Sequence, residues 1–488
     1  MLNKIVSFIN RVRLSGCLII ISLLCVPILL ASCKAGKDYV KPEAVVPDGF
    51  KEANVWKKAA RPVDNVTAWW EVFNDSQLNE FEKEVSISNQ NLIVKEAQFR
   101  QARALVDSAK SKFYPSVAVG TTAGRTRSSE NVSKGGSTSG GTSSSYSLPV
   151  SGSWDLDLWG SVKRTVEANQ ASAQASFADL EALRLSTQAE LAQDYFQLCA
   201  LDTQKQLLDE TVKVYTKTLE ITKNRYESGI VSKSDVLHAE TQLKTTIAQA
   251  IDLSIQRSKL EHAIALLMGK PASSFSIPLT PLKTTAPIIP AGLPSELLER
   301  RADVAAAERR VAASNAQIGA ATAAFYPAIT LTSSAGYNSS AILNLLTWPS
   351  RVWAVGMSIS ETVFSAGLRE SLTEQARATY DATVAQYRQT VLTAFQEVED
   401  SLSAIDILIA EQKALDEAVK ASEASSAVAL NQYKAGIIGY IDLIAVQTIE
   451  LNNKKTAADV SGRLMTNSVL LIKALGGPWN FGLLDKLS

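Results

Sequence analysis

Few side chains in this chain could do chemistry. His238 and His262 are the only imidazoles, and they fall on one predicted helix, too far apart to share a metal or a proton on one face. No glycine-rich phosphate loop, no Gly-x-Ser-x-Gly elbow and no Cys/His metal spacing occurs. The pattern predicts no catalysis, no nucleotide site, no metal and no cofactor.

Cysteine offers a different chemistry. Lys4, Arg11 and Arg13 form a positive start, Leu14 to Leu30 an apolar stretch, and Leu30-Ala31-Ser32-Cys33 then reads as a lipobox. Residues 1–32 are read as a signal peptide, with Cys33 acylated and becoming the first mature residue; a signal anchor that is never cleaved is the alternative. Lys34 follows where an aspartate would favour the inner membrane of a Gram-negative cell, so the expectation is the outer membrane. Cys17 and Cys25 leave with the signal, so Cys199 remains alone and no internal disulfide is expected.

Two carboxylates stand out by position. Asp235 and Asp442 each come shortly after a glycine, Gly229 and Gly436, where a new helix should begin. Ser232 and Asp235 have the spacing of a capping box. Asp442 either caps its helix through the dipole or, repeated around an axis, forms an acidic ring that favours cations.

These groups must be positioned by two long rods. Between Gly160 and Gly229, and again between Gly367 and Gly436, the chain contains neither proline nor glycine. Phe177, Leu180, Leu191, Tyr195, Leu198, Leu208, Val212, Tyr215 and Leu219 lie on one stripe at helical spacing. At 1.5 Å per residue each rod would be about 100 Å long, too long to fold around a compact core, so it must pack sideways on similar rods. Gly229 recurs as Gly436, 207 positions on, and Leu208-Asp209-Glu210, Tyr226, Asp235, Gly269 and Pro271 recur as Leu415-Asp416-Glu417, Tyr433, Asp442, Gly476 and Pro478 at the same offset. The chain is an internal duplication.

The first repeat, 75–270, reads as a helix of 75–112, a β-hairpin of 114–158, a long helix of 160–228 and a helix of 232–268. After a linker at 271–293, the second repeat, 294–476, gives a helix of 294–325, a hairpin of 327–363, a long helix of 367–435 and a helix of 440–475. An extended segment at 33–74, with Trp69-Trp70 as anchors, precedes the repeats, and a tail at 477–488 follows them. The hairpin loops are read as 128–145, Ser/Gly-rich, and about 338–350. In the hairpins Leu148, Val150, Trp154 and Trp353, Val355, Met357, Ile359 alternate with small or polar residues, as in strands with lipid on one side and water on the other; a soluble half-buried sheet is the alternative. If the arms span a membrane, four cannot close a barrel with an interior, so several copies must contribute. Formal net charge is zero and no basic cluster occurs, so nucleic acid is not expected as a partner.

The stretch Leu293-Pro294-Ser295-Glu296-Leu297-Leu298-Glu299-Arg300-Arg301-Ala302-Asp303-Val304, with Phe325-Tyr326-Pro327, Val398-Glu399-Asp400 and Ala474-Leu475-Gly476-Gly477-Pro478-Trp479, resembles the TolC-type outer membrane factors, and within them the NodT-like lipoprotein branch of tripartite RND efflux systems. Two residues depart from the pattern: Ala302 replaces a usual proline, and Ala445 a frequent acidic residue. The resemblance implies an α+β membrane protein: a homotrimer with a twelve-stranded outer membrane barrel, four strands per protomer, above a long periplasmic helical barrel. It implies a passive exit duct for small molecules, partnered by a periplasmic adaptor protein and an inner membrane RND transporter. It makes Tyr433 a gate residue beside Asp442 and Asp235, bonding across to the neighbouring coiled coil near Asp235, and makes the turns at Gly229 and Gly436 adaptor contacts. A duct for secreted proteins and a coiled-coil lipoprotein without a pore are the alternatives.

Overall fold

The computed structural model describes residues 35–51, 68–129, 141–283, 285–287, 289, 294–479 and 481–484. Cys33 and the signal stretch lie outside them. The helices are α1 (Ser76–Ser88), α2 (Gln90–Ser111), α3 (Ser161–Glu227), α4 (Lys233–Leu267), α5 (Pro294–Arg300), α6 (Ala302–Ala323), α7 (Leu368–Ala435) and α8 (Tyr440–Ala474). The long rods α3 and α7 have 67 and 68 residues. Among the described residues no helix is long and apolar enough to cross a membrane.

The chain divides into two compact units. One comprises residues up to Pro42, Arg100–Ala173 and Glu308–Ala385, and the other Glu43–Phe99, Gln174–Ala307 and Gln386–Ser488. The first unit holds all the strands among the described residues: β1 (Ser116–Val119), β2 (Thr122–Arg127), β3 (Thr142–Asp155), β4 (Ala328–Ser339) and β5 (Arg351–Ser360). β3 joins the two hairpins by pairing with β4. β1 and β2 are one arm in a single register, since Val119 faces Val150 and Thr122 faces Ser147. The interruption has a local cause. Gly120 N–H donates to the Pro149 carbonyl at 3.1 Å, but proline has no N–H to return the bond. The strands also reach further than the sequence suggests. β3 begins at Thr142 and β4 runs to Ser339, and two short 3-10 turns occupy the second loop.

Register sorts the side chains by face. Val119, Val150, Ala335 and Trp353 lie in one row, and Trp154, Leu331 and Met357 in another, all on the same face. The other face carries Ser151, Ser153, Thr332, Ser334, Ala354 and Gly356. The apolar face is uncovered: Trp353 is 80% exposed and Val355 77%.

In the second unit, the two long rods and the helices that follow them, α4 and α8, meet near their turns. Tyr215 and Leu219 of α3, Ala239 and Leu243 of α4, Ala429 and Tyr433 of α7, and Tyr440 and Leu443 of α8 form one buried cluster. Burying each large apolar side chain contributes about 2 kcal/mol. Trp69, Trp70 and Phe73 form an aromatic group reaching Phe196, and Trp69 Nε1 donates to Gln188. The linker is stapled to α3 and α4: Thr280 N–H donates to Asp202, and Arg257 binds both Asp202 and the Ile277 carbonyl.

The sequence gives no warning of one feature, which occurs in both repeats. The expected helices at 75–112 and 294–325 are each broken, at Asn89 and at Arg301. Asn89 Nδ2 donates to the Leu267 carbonyl at 2.8 Å, and Arg301 Nη1 to the Ala474 carbonyl at 3.1 Å. Asn89 also caps α2, its Oδ1 accepting from Asn91 and Leu92 N–H. Each break thus supplies a donor to the last-turn carbonyls of α4 or α8, which have no intrahelical partner. The chain must come close there. Gly269 and Gly476 have φ of +66° and +89°, and a Cβ on either would strike the carbonyl of Ser88 or Arg300. α6 starts at Ala302, so the departure from proline falls at a helix's first residue, where proline and alanine both serve.

Glu82 of α1 is fully buried, and neither carboxyl oxygen has a hydrogen-bond partner among the described residues. Burial pushes its carboxyl well above the ordinary value of 4.5. Because the folded value is raised, stability is complete below the unfolded value and is lost as pH climbs toward the folded one. Glu82→Gln removes that loss. The variant's thermal midpoint, read by circular dichroism in detergent, should exceed the parent's at pH 8, with the gap closing toward pH 4. A gap independent of pH would contradict a protonated Glu82.

Candidate functional site

The residues singled out for function, Cys33 aside, gather where the rods turn. α3 and α7 end alike. Gly229 and Gly436 take φ of +72° and +76°. Gly229 N–H donates to the Tyr226 carbonyl and Ile230 N–H to that of Arg225, and Gly436 and Ile437 repeat this on Tyr433 and Gln432. These paired bonds close a Schellman turn, which needs a left-handed residue. Ile230 and Ile437, just beyond the glycines, are exposed.

The next helices start less alike. Asp235 Oδ2 accepts from Ser232 N and Oγ, both at 3.0 Å, and Asp235 N–H donates back to Ser232 Oγ. Gly439 stands where the first repeat has Ser232, so Asp442 Oδ2 accepts only the Gly439 N–H, at 3.3 Å. Asp442 is exposed and lines a groove with Val428, Ile438 and Val446.

Tyr433 is 1% exposed, and its hydroxyl lies 2.8 Å from Thr222 Oγ1 on α3, while Asp235 is engaged with its own cap. The Arg225 guanidinium lies 4.8 Å from the Tyr433 ring centroid and also donates to the Tyr433 carbonyl. Tyr440 packs edge-on against Tyr433 with ring centroids 5.9 Å apart, and burial, with Tyr215 and Tyr433 beside it, raises its hydroxyl's pKa. Thr222 and Arg225 are residues that sequence reasoning missed. The signal was a difference between repeats: at the offset of 207 their counterparts are Ala429 and Gln432, which offer neither the hydroxyl nor the cation.

His238 and His262 are both exposed on α4. No group of ligating side chains fit to hold a metal occurs among the described residues. Cys199 is buried, and burial pushes its thiol up to about 12, so it is inert as a nucleophile. In the strand-bearing unit, Arg164 is buried and holds the residues that follow Cys33. Its Nε donates to the Ala35 carbonyl and its Nη2 to those of Gly36 and Lys37, while Ala35 N–H donates to the Trp159 carbonyl.

The described residues give rods with capped turns and an amphipathic sheet, an anatomy suited to a channel subunit. Comparison agrees. The family model described as "Outer membrane efflux protein" matches residues 83–270 and 293–477, one match for each repeat. The outer membrane protein OprJ of Pseudomonas aeruginosa is 29% identical over 469 residues, covering 95% of this chain and 96% of that protein. Nodulation protein T of Rhizobium leguminosarum bv. viciae is 29% identical over 462 residues, with 92% of each covered. The solved outer-membrane channel OprN superimposes with a TM-score of 0.86 at 29% identity, over 92% of this chain and 100% of that one.

The chain belongs to the outer membrane efflux protein family. It is the outer membrane channel component of an efflux system, with a TolC-like fold, and it is not an enzyme.

Tyr433→Phe removes one buried hydroxyl bond, a loss of about 1 kcal/mol. Amide hydrogen exchange in the segment 436–444 should accelerate by roughly fivefold, with exchange in the linker at 277–282 unchanged. Equal exchange in both proteins would mean that the Thr222 bond does not hold the turn.

Proposed function

We propose that three copies of this chain assemble into one duct, with twelve arms closing a barrel in the outer membrane and the rods forming a periplasmic tunnel. The observation that carries this reading is the sheet. One face is apolar and exposed, the other is small and polar, and each outer arm has one edge without a partner strand among the described residues of one copy. Open edges are not tolerated in lipid, so the arms must pair with further copies.

The duct would be passive and would serve small molecules. A periplasmic adaptor would dock on the exposed turns at Gly229 and Gly436, where Ile230 and Ile437 present apolar knobs. An inner membrane RND transporter would supply the energy, since the sequence carries no phosphate-loop motif. Cys33 would carry the lipid. Mass spectrometry of the parent's N-terminal peptide should find a diacylglyceryl group on Cys33 that is absent from the Cys33→Ser variant; a parent peptide without that mass would dismiss lipidation.

At the turns, three copies of Asp442 around one axis would form an acidic gate, and three Tyr433–Thr222 bonds would hold it narrow. The test is single-channel conductance of the purified protein in a planar bilayer, beside Asp442→Ala and Tyr433→Phe. The expected result is small stepwise conductance in the parent, larger in both variants, with cation preference reduced in Asp442→Ala. Conductance and selectivity equal to the parent's would return Asp442 to a capping role, and no conductance even with an adaptor present would overturn the duct.

A further inference from the structure

The apolar face of the sheet does not stay uncharged to its far end. Arg125 pairs with Ser144, Arg127 with Thr142 and Arg351 with Tyr337. Counting alternate residues from Val119, Val150 and Trp353 places all three arginines on the apolar face. They are the only cations in the five strands, and all lie toward the hairpin ends. The one strand carboxylate, Asp155, is on the opposite face at the other end, where it accepts from Thr330 Oγ1 at 2.7 Å. Charge in this sheet is therefore segregated twice, by face and by height.

The position along the strands is informative. From Arg351 to Ile359 is about 27 Å of strand at 3.4 Å per residue, close to the height of a barrel's apolar band allowing for tilt. An arginine on the lipid face is costly at mid-depth and nearly free at the interface. Tyr146, Tyr337 and Trp348 lie at the same end, as an interfacial aromatic row would, and the Arg351 guanidinium lies over the Trp348 ring. A guanidinium fork matches phosphate oxygens. The apolar rows just below it are a wall that a soluble anion would not use and acyl chains would.

We propose that Arg125, Arg127 and Arg351 bind the phosphates of an anionic membrane lipid in the leaflet around the hairpin ends. The inference rests on the barrel reading above. Arg125 and Arg127 are on the β2 edge and Arg351 on the β5 edge, so pairing of neighbouring copies brings the two edges together at each seam. Each seam would hold lipid whose headgroup bridges two copies, and the lipid would fasten the ring.

The test uses the full chain purified in dodecyl maltoside, with lipid A as the diphosphorylated probe and enzymatically dephosphorylated lipid A as its control. Native mass spectrometry reads the lipid bound, and the conductance of the same sample reads the channel. The expected result is that the parent prefers the phosphorylated form. Arg125→Gln, Arg127→Gln and Arg351→Gln combined should weaken it by at least about tenfold, the triple Lys variant should recover part of that, and Arg351→Gln alone should cost about fivefold. Equal binding of the two lipids by the parent, or undiminished binding by the Gln variants, overturns the site. Conductance is read separately: a conducting variant without lipid preference leaves the duct standing, whereas a parent that never conducts fails at the duct itself.

Discussion

An unpaired strand edge has nowhere to go in hydrocarbon. Each unmatched N–H or C=O there costs several kcal/mol because no water can replace the missing partner. One copy of this chain offers an outward apolar face and two such edges, β1/β2 on one side and β5 on the other. Once the sheet is accepted as lipid-facing, one copy cannot be the functional unit. The single register through β1 and β2 serves the same constraint. Pro149 removes one bond inside the sheet, yet the arm continues without a bulge and its edge remains straight enough to be paired.

Much of the fold is legible in the sequence, because periodicity is a direct consequence of element geometry. The rods show as uninterrupted helical stripes, and the arms as alternation with period two. The breaks at Asn89 and Arg301 are not legible. Neither residue is a helix breaker by propensity, and what selects them is a distant need, the orphan carbonyls of Leu267 and Ala474. Matching the repeats at offset 207 alone also hides the correspondence, because Asn89 and Arg301, like Phe113 and Phe325, are 212 apart. One duplicated clasp has thus kept its geometry while changing its chemistry from an amide to a guanidinium.

The turn region was legible in outline but not in partnership. Looking for identities between repeats finds Tyr226 and Tyr433 as equivalents, yet Tyr226 is 44% exposed and Tyr433 is buried. The cause is asymmetry in the neighbours. α3 presents Thr222 and Arg225 to Tyr433, whereas α7 has Ala429 and Gln432 at the equivalent places and can offer Tyr226 neither group. A buried contact has arisen where two copies of one design stopped matching. The same divergence separates the aspartates: Ser232 completes the cap around Asp235, and glycine at 439 leaves Asp442 with a single backbone donor.

The near-equal length of α3 and α7 limits how such a chain can change. Tyr433 meets Thr222 only because both rods reach the cluster in matching phase. One residue inserted into α7 ahead of the cluster would turn everything beyond it by about 100°, and seven would restore the phase but displace it by roughly 10 Å. Either change in one rod alone would part Tyr433 from Thr222. The two halves descend from separate copies of an ancestral segment, yet they share one ruler, and the depth of the duct can be lengthened or shortened only by editing both in whole turns at once.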